Sequence, residues 1–358
     1  MSLEKYIKNL EIKFKQDPFN LNRQQKKSLM FKNISFLHDY HINHCKNYKT
    51  LNSHLSKKKI KSLEDFPFIH VNLFKEIDMI SIEKIRASNV ITSSGTSSEN
   101  VSKIFLDRTT SKLQIKVLKC LFSDIAKKKI PMLVVDSKEI LNTRKNYNAR
   151  LAAFLGFQKF SSSHTFLLNE NYEIDFENLN NFLIKNDNQE EILIFGFTSV
   201  VFEYLYKKIH KFKFLNDKKI LLIHGGGWKK LSNLKISNNT FKSKFKKNFK
   251  SIEVINYYGM AEQTGTIYFE CEEGYFHTNN FSDILIRDQN LDTVDHNQEG
   301  LIQLFSTLPI SYPGFNILTE DLGTIYGEDD CKCGRLGKYF KVHGRIQKAQ
   351  IRGCSDVY

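Results

Sequence analysis

Four side chains of metal-ligand type are paired at short spacing in the last third of the sequence: Cys271 with His277, and Cys331 with Cys333. Three soft sulfurs and an imidazole suit a closed tetrahedral zinc site, and Gly274 and Gly334 beside them permit the tight turns such a knuckle needs. Two unrelated cysteine clusters are the plainer alternative. A second group carries hydroxyls: Thr92-Ser93-Ser94-Gly95-Thr96-Ser97-Ser98 follows Val90 and Ile91, with Lys103 shortly downstream. Amides and hydroxyls at that density can wrap a polyphosphate, since the glycine lets the main chain approach the anion. The segment lacks the G-x-x-x-x-G-K-[ST] pattern, and its composition equally describes an ordinary flexible loop. A third group is Tyr257-Tyr258-Gly259-Met260-Ala261-Glu262-Gln263-Thr264-Gly265. Tyr258 there can stack on a purine, and the carboxylate of Glu262, four residues on, can hold the magnesium that accompanies ATP; in isolation the segment is also a simple turn ending a strand. Last comes Cys354, two residues from Arg352 and next to Gly353. A basic neighbour favours the thiolate and a chain end leaves it free to move, whereas a packed turn would make the same residues inert.

These groups need elements to hold them. Up to Asp65 the sequence is polar and helix-friendly, with Leu3, Tyr6, Ile7 and Leu10 on one face of an amphipathic helix. From Phe66 short β-rich runs recur at Met132 to Val135, Ile192 to Phe197, Ile220 to Ile223 and Ile252 to Tyr257, separated by segments long enough for helices. That spacing predicts βαβ crossovers and a largely parallel sheet. After Gly265 the runs close up, at Thr266 to Phe269, Asp283 to Ile286, Leu301 to Phe305 and Phe315 to Leu318, with turns at Glu273-Gly274 and Pro313-Gly314, which suits a smaller antiparallel sheet. The expected organisation is a helical subdomain over 1–65, an α/β core over 66–265, a β-rich subdomain with the zinc knuckle over 266–345, and a tail over 346–358.

Composition narrows the class. No uninterrupted apolar run serves as a signal peptide or membrane span, so the chain is expected to be soluble and cytoplasmic, with its six cysteines as thiols or metal ligands. The formal net charge of +14 invites a nucleic-acid partner. Lysines are raised throughout, however, and those of Lys207 to Lys219 and of Phe241 to Phe249 read as solvated faces, with no stacking module beside them. No nucleic-acid partner is expected.

Taken in order, the segments resemble the adenylate-forming superfamily, whose phosphate loop reads Ser-Gly-Thr-Thr-Gly and whose adenine segment reads Tyr-Gly-x-Thr-Glu. His224-Gly225-Gly226-Gly227 resembles its glycine-rich adenine-side turn, Thr319-Glu320-Asp321-Leu322-Gly323 its ribose-binding aspartate segment, and Gly344-Arg345 its hinge-side arginine motif. Phe66-Pro67-Phe68-Ile69, Leu73-Phe74-Lys75, the doubled serine before Gly95, Trp228 after the glycines and Arg352-Gly353-Cys354-Ser355 are most similar to the acyl-protein synthetases of bacterial luminescence (LuxE-like), with phenylacetate-CoA ligases as cousins. Ser98 replaces the loop's second glycine and Ala261 the threonine expected at the AMP phosphate.

The resemblance implies the large N-terminal domain of an adenylate-forming enzyme: mixed, largely parallel sheets with helices and a small β subdomain, the mobile C-terminal domain being absent. It implies an acid-thiol ligase that forms an acyl-adenylate from a carboxylic, expectedly fatty, acid with ATP and magnesium, and passes the acyl group to a protein thiol. The implied nucleotide-binding residues are Ser93, Ser94, Gly95, Thr96, Ser97, Gly225, Gly226, Gly227, Tyr258, Gly259, Asp321 and Arg345; Glu262, Lys103 and Cys354 are the catalytic candidates. Cys354 is placed by the resemblance where luminescence synthetases carry the acylated cysteine, and an acceptor such as a reductase or carrier protein would follow. Two other readings stay open: a ligase delivering acyl groups to CoA or a carrier protein in lipid or surface-polysaccharide synthesis, and a catalytically silent nucleotide-binding partner. Phe195, Phe197 and Val200 either line an acyl pocket or belong to the core.

Overall fold

The apolar runs form strands that assemble into two sheets and a hairpin in a computed structural model describing residues 1–54, 59–93, 101–145, 148–226 and 236–346. In chain order the strands are β1 (Ile69–His70), β2 (Asn89–Thr92), β3 (Lys103–Leu106), β4 (Ile130–Ser137), β5 (Ser161–Leu168), β6 (Glu191–Phe197), β7 (Lys219–Gly225), β8 (Ile252–Tyr258), β9 (Tyr268–Phe269), β10 (Phe276–His277), β11 (Ser282–Arg287), β12 (Glu299–Ser306), β13 (Asn316–Glu328) and β14 (Lys338–Arg345). The chain divides into two units, one drawn from Met1–Ser93, Ser97–Ile125 and Gly259–Gln350, the other built mainly from Ala126–Tyr258. Among the described residues no helix is long and apolar enough to cross a membrane.

In the first unit, β10-β14-β13-β12-β11 form an antiparallel sheet, with β1 added in parallel to β13. The N-terminal helices pack with it. Helix Leu3–Lys13 starts at Ser2, whose side chain accepts from Lys5 N, and buries Tyr6 and Leu10. The Tyr6 hydroxyl donates to Thr307 O at 2.7 Å, so the buried ring also satisfies its polar end. Helix Arg23–His44 opens with a capping box between Asn22 and Gln25. Its buried face is Lys26, Met30, Asn33, Ile34, Leu37, His38 and His41; the spacing is helical but the chemistry is half polar. Three of its four polar residues have partners among the described residues: Lys26 Nζ donates to Thr278 Oγ1 at 2.5 Å, His38 Nδ1 meets the Tyr48 hydroxyl at 2.8 Å, and His41 lies between Ser81 Oγ (2.7 Å) and Pro309 O (3.1 Å). Buried polar groups are tolerated only when so paired.

The second unit holds the parallel strands in the order β5-β4-β6-β7-β8. All eight residues of β4 are buried, as expected for a strand covered by helices on both faces. Helix Asn238–Asn248 turns Phe241 and Phe245 inward, where Phe241 stacks on Tyr206 with centroids 5.1 Å apart, and leaves Lys246 and Lys247 exposed. Those lysines therefore form a solvated face. The strand order reverses at β4, with β5 on one side and β6 on the other, and ligands of such parallel sheets bind outside the carboxyl ends of the strands. Here those ends are Ser137, Leu168, Phe197, Gly225 and Tyr258.

Candidate functional site

The hydroxyl-rich segment joins β2 to β3, which pair antiparallel with Thr92 opposite Lys103. Ser93 N donates to Ser102 O at 3.2 Å and Ser102 N to Ser93 Oγ at 3.0 Å, so Ser93 closes the neck of the connection. Lys103 is exposed at that neck. Ser94, Gly95, Thr96, Ser97 and Ser98 lie outside the described residues, as do Gly227, Trp228 and the Arg352 to Ser355 segment with Cys354.

In the same unit, Glu262 sits on a single 3-10 turn, Ala261–Gln263. Gln263 pins that turn by donating from Nε2 to Gly314 O at 2.9 Å and to Leu304 O at 3.2 Å. Glu262 itself is only 6% exposed, and its carboxylate has no hydrogen-bond or ion-pair partner among the described residues. A carboxylate with no protein counter-charge suits a hard divalent cation such as magnesium. Nearby Tyr312 is fully buried, and burial together with the Glu262 charge holds its hydroxyl well above the usual phenol range. Asp321 and Arg345 are opposite each other in the β13–β14 register, and Arg345 Nε donates to Asp321 Oδ1 at 3.1 Å. The arginine thus orients the carboxylate expected at the ribose.

In the second unit, β8 ends in two tyrosines that face opposite ways. Tyr257 packs inward against Phe157, with ring centroids 5.4 Å apart, while Tyr258 remains half-buried. Gly225 and Gly226 end β7 in very close quarters: a Cβ would lie 2.5 Å from the Tyr257 ring at the first and 2.4 Å from the Phe197 ring at the second, where φ is +89°. Phe195, Phe197 and Val200 are 2%, 4% and 1% exposed, so all three are core side chains in this structure. Gly259, which follows Tyr258, lies close to Thr266 O.

Cys271, His277, Cys331 and Cys333 come together, with one potential ligand atom from each lying within 4.8 Å of the others. His277 is brought in by β10 pairing with β14, while Cys331 and Cys333 occupy the β13–β14 connection. Gly274 and Gly334 adopt φ of +79° and +81° in the two turns. Cys333 Sγ lies 3.3 Å from His277 Nε2, against a nitrogen-to-sulfur separation of about 3.5 Å expected for ligands of one tetrahedral zinc. The other ring nitrogen, Nδ1, is buried with no hydrogen-bond partner among the described residues. Burial pushes the Cys333 thiol up to about 12 and the His277 imidazole down to about 3, so a thiolate at Cys333 needs the support of a cation. Arg335 faces it, held by Asp124 at 2.6 Å. Its positive charge would offset the surplus negative charge of three thiolates on a divalent ion. The donor set fits zinc.

Residues 5–358 match the family described as acyl-protein synthetase, LuxE. The chain belongs to that family. It is accordingly a ligase that joins acyl groups to protein. A curated relative, the long-chain-fatty-acid–luciferin-component ligase of Vibrio harveyi, is 22% identical over 358 residues, spanning 96% of this chain and 90% of the relative. Among solved structures, an open conformation of 2-hydroxyisobutyryl-CoA ligase in complex with 2-HIB-AMP and CoA aligns with a TM-score of 0.70 at 13% identity, covering 93% of this chain and 77% of that one. The same ligase in the postadenylation state with 2-HIB-AMP gives 0.68 at 14% identity, with 92% and 70% covered. At such identities the likeness is one of fold. The chain has the mixed α/β architecture of the N-terminal domain of adenylate-forming enzymes.

Two features escaped the sequence reading. Asp136, at the end of β4, forms a buried pair with Arg150, whose Nε and Nη2 each donate to one carboxylate oxygen at 2.6 Å. Thr198, just after β6, contacts His224 and Gly225. Neither has a local sequence signal, because the partners are 14 and 26 positions away.

Proposed function

We propose that this synthetase activates a long-chain fatty acid with ATP and then acylates a protein thiol. The observation that carries the reading is the family match across residues 5–358. In the first step a carboxylate oxygen of the acid attacks the α-phosphorus of ATP, the bond to the bridging oxygen breaks, and pyrophosphate leaves. Ser94, Gly95 and Thr96, flanked by Ser93 and Ser97, would hold the phosphates, with Lys103 at the neck of that connection. Tyr258 and Gly259 together with Gly225, Gly226 and Gly227 would border the adenine, and Asp321, oriented by Arg345, the ribose. Glu262 would hold magnesium, which neutralises the charge developing on the phosphates when bound. Catalysis of this step is mainly positioning and electrostatics; the Glu262 carboxylate, on a largely buried residue and without a partner among the described residues, supports its role.

In the second step a thiolate attacks the acyl carbonyl and AMP leaves. We assign the thiol to Cys354, from which the acyl group passes to an external acceptor protein. Zinc at Cys271, His277, Cys331 and Cys333 would brace the β10, β13 and β14 segments and take no part in the chemistry. Acid-dependent exchange of labelled pyrophosphate into ATP, screened over acids of different chain length, tests the first step. Exchange with long-chain acids is expected; none with any acid would leave a silent nucleotide-binding protein. For the second step, protein incubated with ATP and labelled fatty acid should carry label that survives denaturation and is released by neutral hydroxylamine. Full retention of that label in Cys354→Ser would overturn the assignment.

A further inference from the structure

The Gly225-Gly226 turn has no side chain of its own to hold it, yet its backbone is held from one direction by a group with no assigned role. Strands β6 and β7 run in register, with Gly196 beside His224 and Phe197 beside Gly225. Thr198 is the next residue after β6, opens the helical segment Thr198–Val201, and is 1% exposed. Its Oγ1 lies 2.9 Å from the Gly225 carbonyl oxygen and 3.0 Å from His224 Nδ1. A hydroxyl has one proton to give. The Gly225 carbonyl can only accept, so Thr198 donates to it and must accept from His224, which places the ring proton on Nδ1. The imidazole can keep that role across the working pH range, because burial holds His224 down at about 3 and the ring stays neutral.

The consequence is stereochemical. In a planar trans peptide the carbonyl of Gly225 and the N–H of Gly226 point in opposite directions, so a hydrogen bond that fixes one aims the other. We infer that Thr198 is a positioning residue for the nucleotide turn: it draws the Gly225 carbonyl toward the sheet interior and thereby presents the Gly226 N–H on the ligand side, while His224 fixes the Thr198 rotamer. Tyr257 and Phe197 set how far the two glycines can shift, and Thr198 sets how their shared peptide is rotated. The inference rests on reading this turn as the adenine-side element.

The test compares Thr198→Val, which keeps the shape and removes the hydroxyl, with Thr198→Ser, which restores it. Pyrophosphate exchange is measured against ATP and against fatty acid, and the His224 ring is followed by nitrogen-15 NMR. In Thr198→Val the KM for ATP should rise about tenfold, the usual scale for a lost buried hydrogen bond, with kcat and the KM for acid changed less than threefold. Thr198→Ser should return within twofold of wild type. The wild-type ring should show a protonated Nδ1 that Thr198→Val alters and Thr198→Ser keeps. If Thr198→Val does not fold, Thr198→Cys, close in size with only a weak donor, takes its place. An unchanged KM for ATP in an active, folded Val or Cys variant overturns the inference alone; so does an Nε2-protonated ring. A wild-type protein that neither exchanges pyrophosphate nor binds ATP overturns the assignment of the turn itself, and this inference with it.

Discussion

Acidification should weaken both units of the protein before its carboxylates titrate, because each unit buries a neutral histidine. His41 and His224 are fully buried, and burial lowers both from 6.5 to about 3. His41 also has both ring nitrogens engaged, by Ser81 Oγ and Pro309 O. A folded-state value below the unfolded one means that the unfolded chain takes up a proton first. Stability is therefore complete above pH 6.5 and declines as pH falls toward the folded value. At pH 5, about 1.5 units below the unfolded value, each histidine costs about 2 kcal/mol, with a slope approaching about 1.4 kcal/mol per pH unit. Against a typical margin of about 5–15 kcal/mol that is a large loss, and His38 and His164, also lowered by burial, act in the same direction. Urea denaturation at half-unit steps from pH 7.5 to 5, for wild type and for His41→Gln and His224→Gln, measures it. Each variant starts less stable but should lose about one proton from the pH slope. Stability that stays level down to pH 5 would refute the reasoning, as would a folded-state His41 resonance that titrates near 6.5.

Three other outcomes follow from particular contacts. Glu262→Gln keeps size and removes charge, so exchange activity should fall about 10²-fold to 10³-fold, the scale for losing a key electrostatic contact; unchanged activity at saturating magnesium would show that Glu262 holds no metal. Protein purified without chelator should contain close to one zinc per chain, measured by plasma emission, and Cys333→Ser should lose it; a metal-free protein with an intact fold ends the zinc assignment. Asp136→Ala removes the bidentate carboxylate partner of the buried Arg150 and should cost about 3–5 kcal/mol in urea denaturation, most of it recovered in Asp136→Leu/Arg150→Met; a single variant as stable as wild type would show that the pair contributes nothing to stability.

The candidate site was legible where its residue types are neighbours in the chain. The Cys/His cluster announces itself by residue type and by two short spacings, and the strands by runs of branched and aromatic residues. The buried face of helix Arg23–His44 was not legible. Lys26 and His41 look like solvent-facing residues until Thr278 and Pro309, 252 and 268 positions away, are brought to them.

Sequence by itself determined the alternation of elements, the order of the candidate nucleotide segments and the donor types of the Cys/His cluster, because periodicity, turn chemistry and side-chain type are local properties. Tertiary structure alone decided which polar groups are satisfied. The β13–β14 register pairs Arg345 with Asp321, the neighbouring ends of β6 and β7 bring Thr198 to Gly225, and the turn held by Gln263 leaves Glu262 buried with no partner among the described residues. The reason is physical: a hydrogen bond or a desolvated charge depends on distances of a few ångströms between segments far apart in the chain, and no local pattern encodes them.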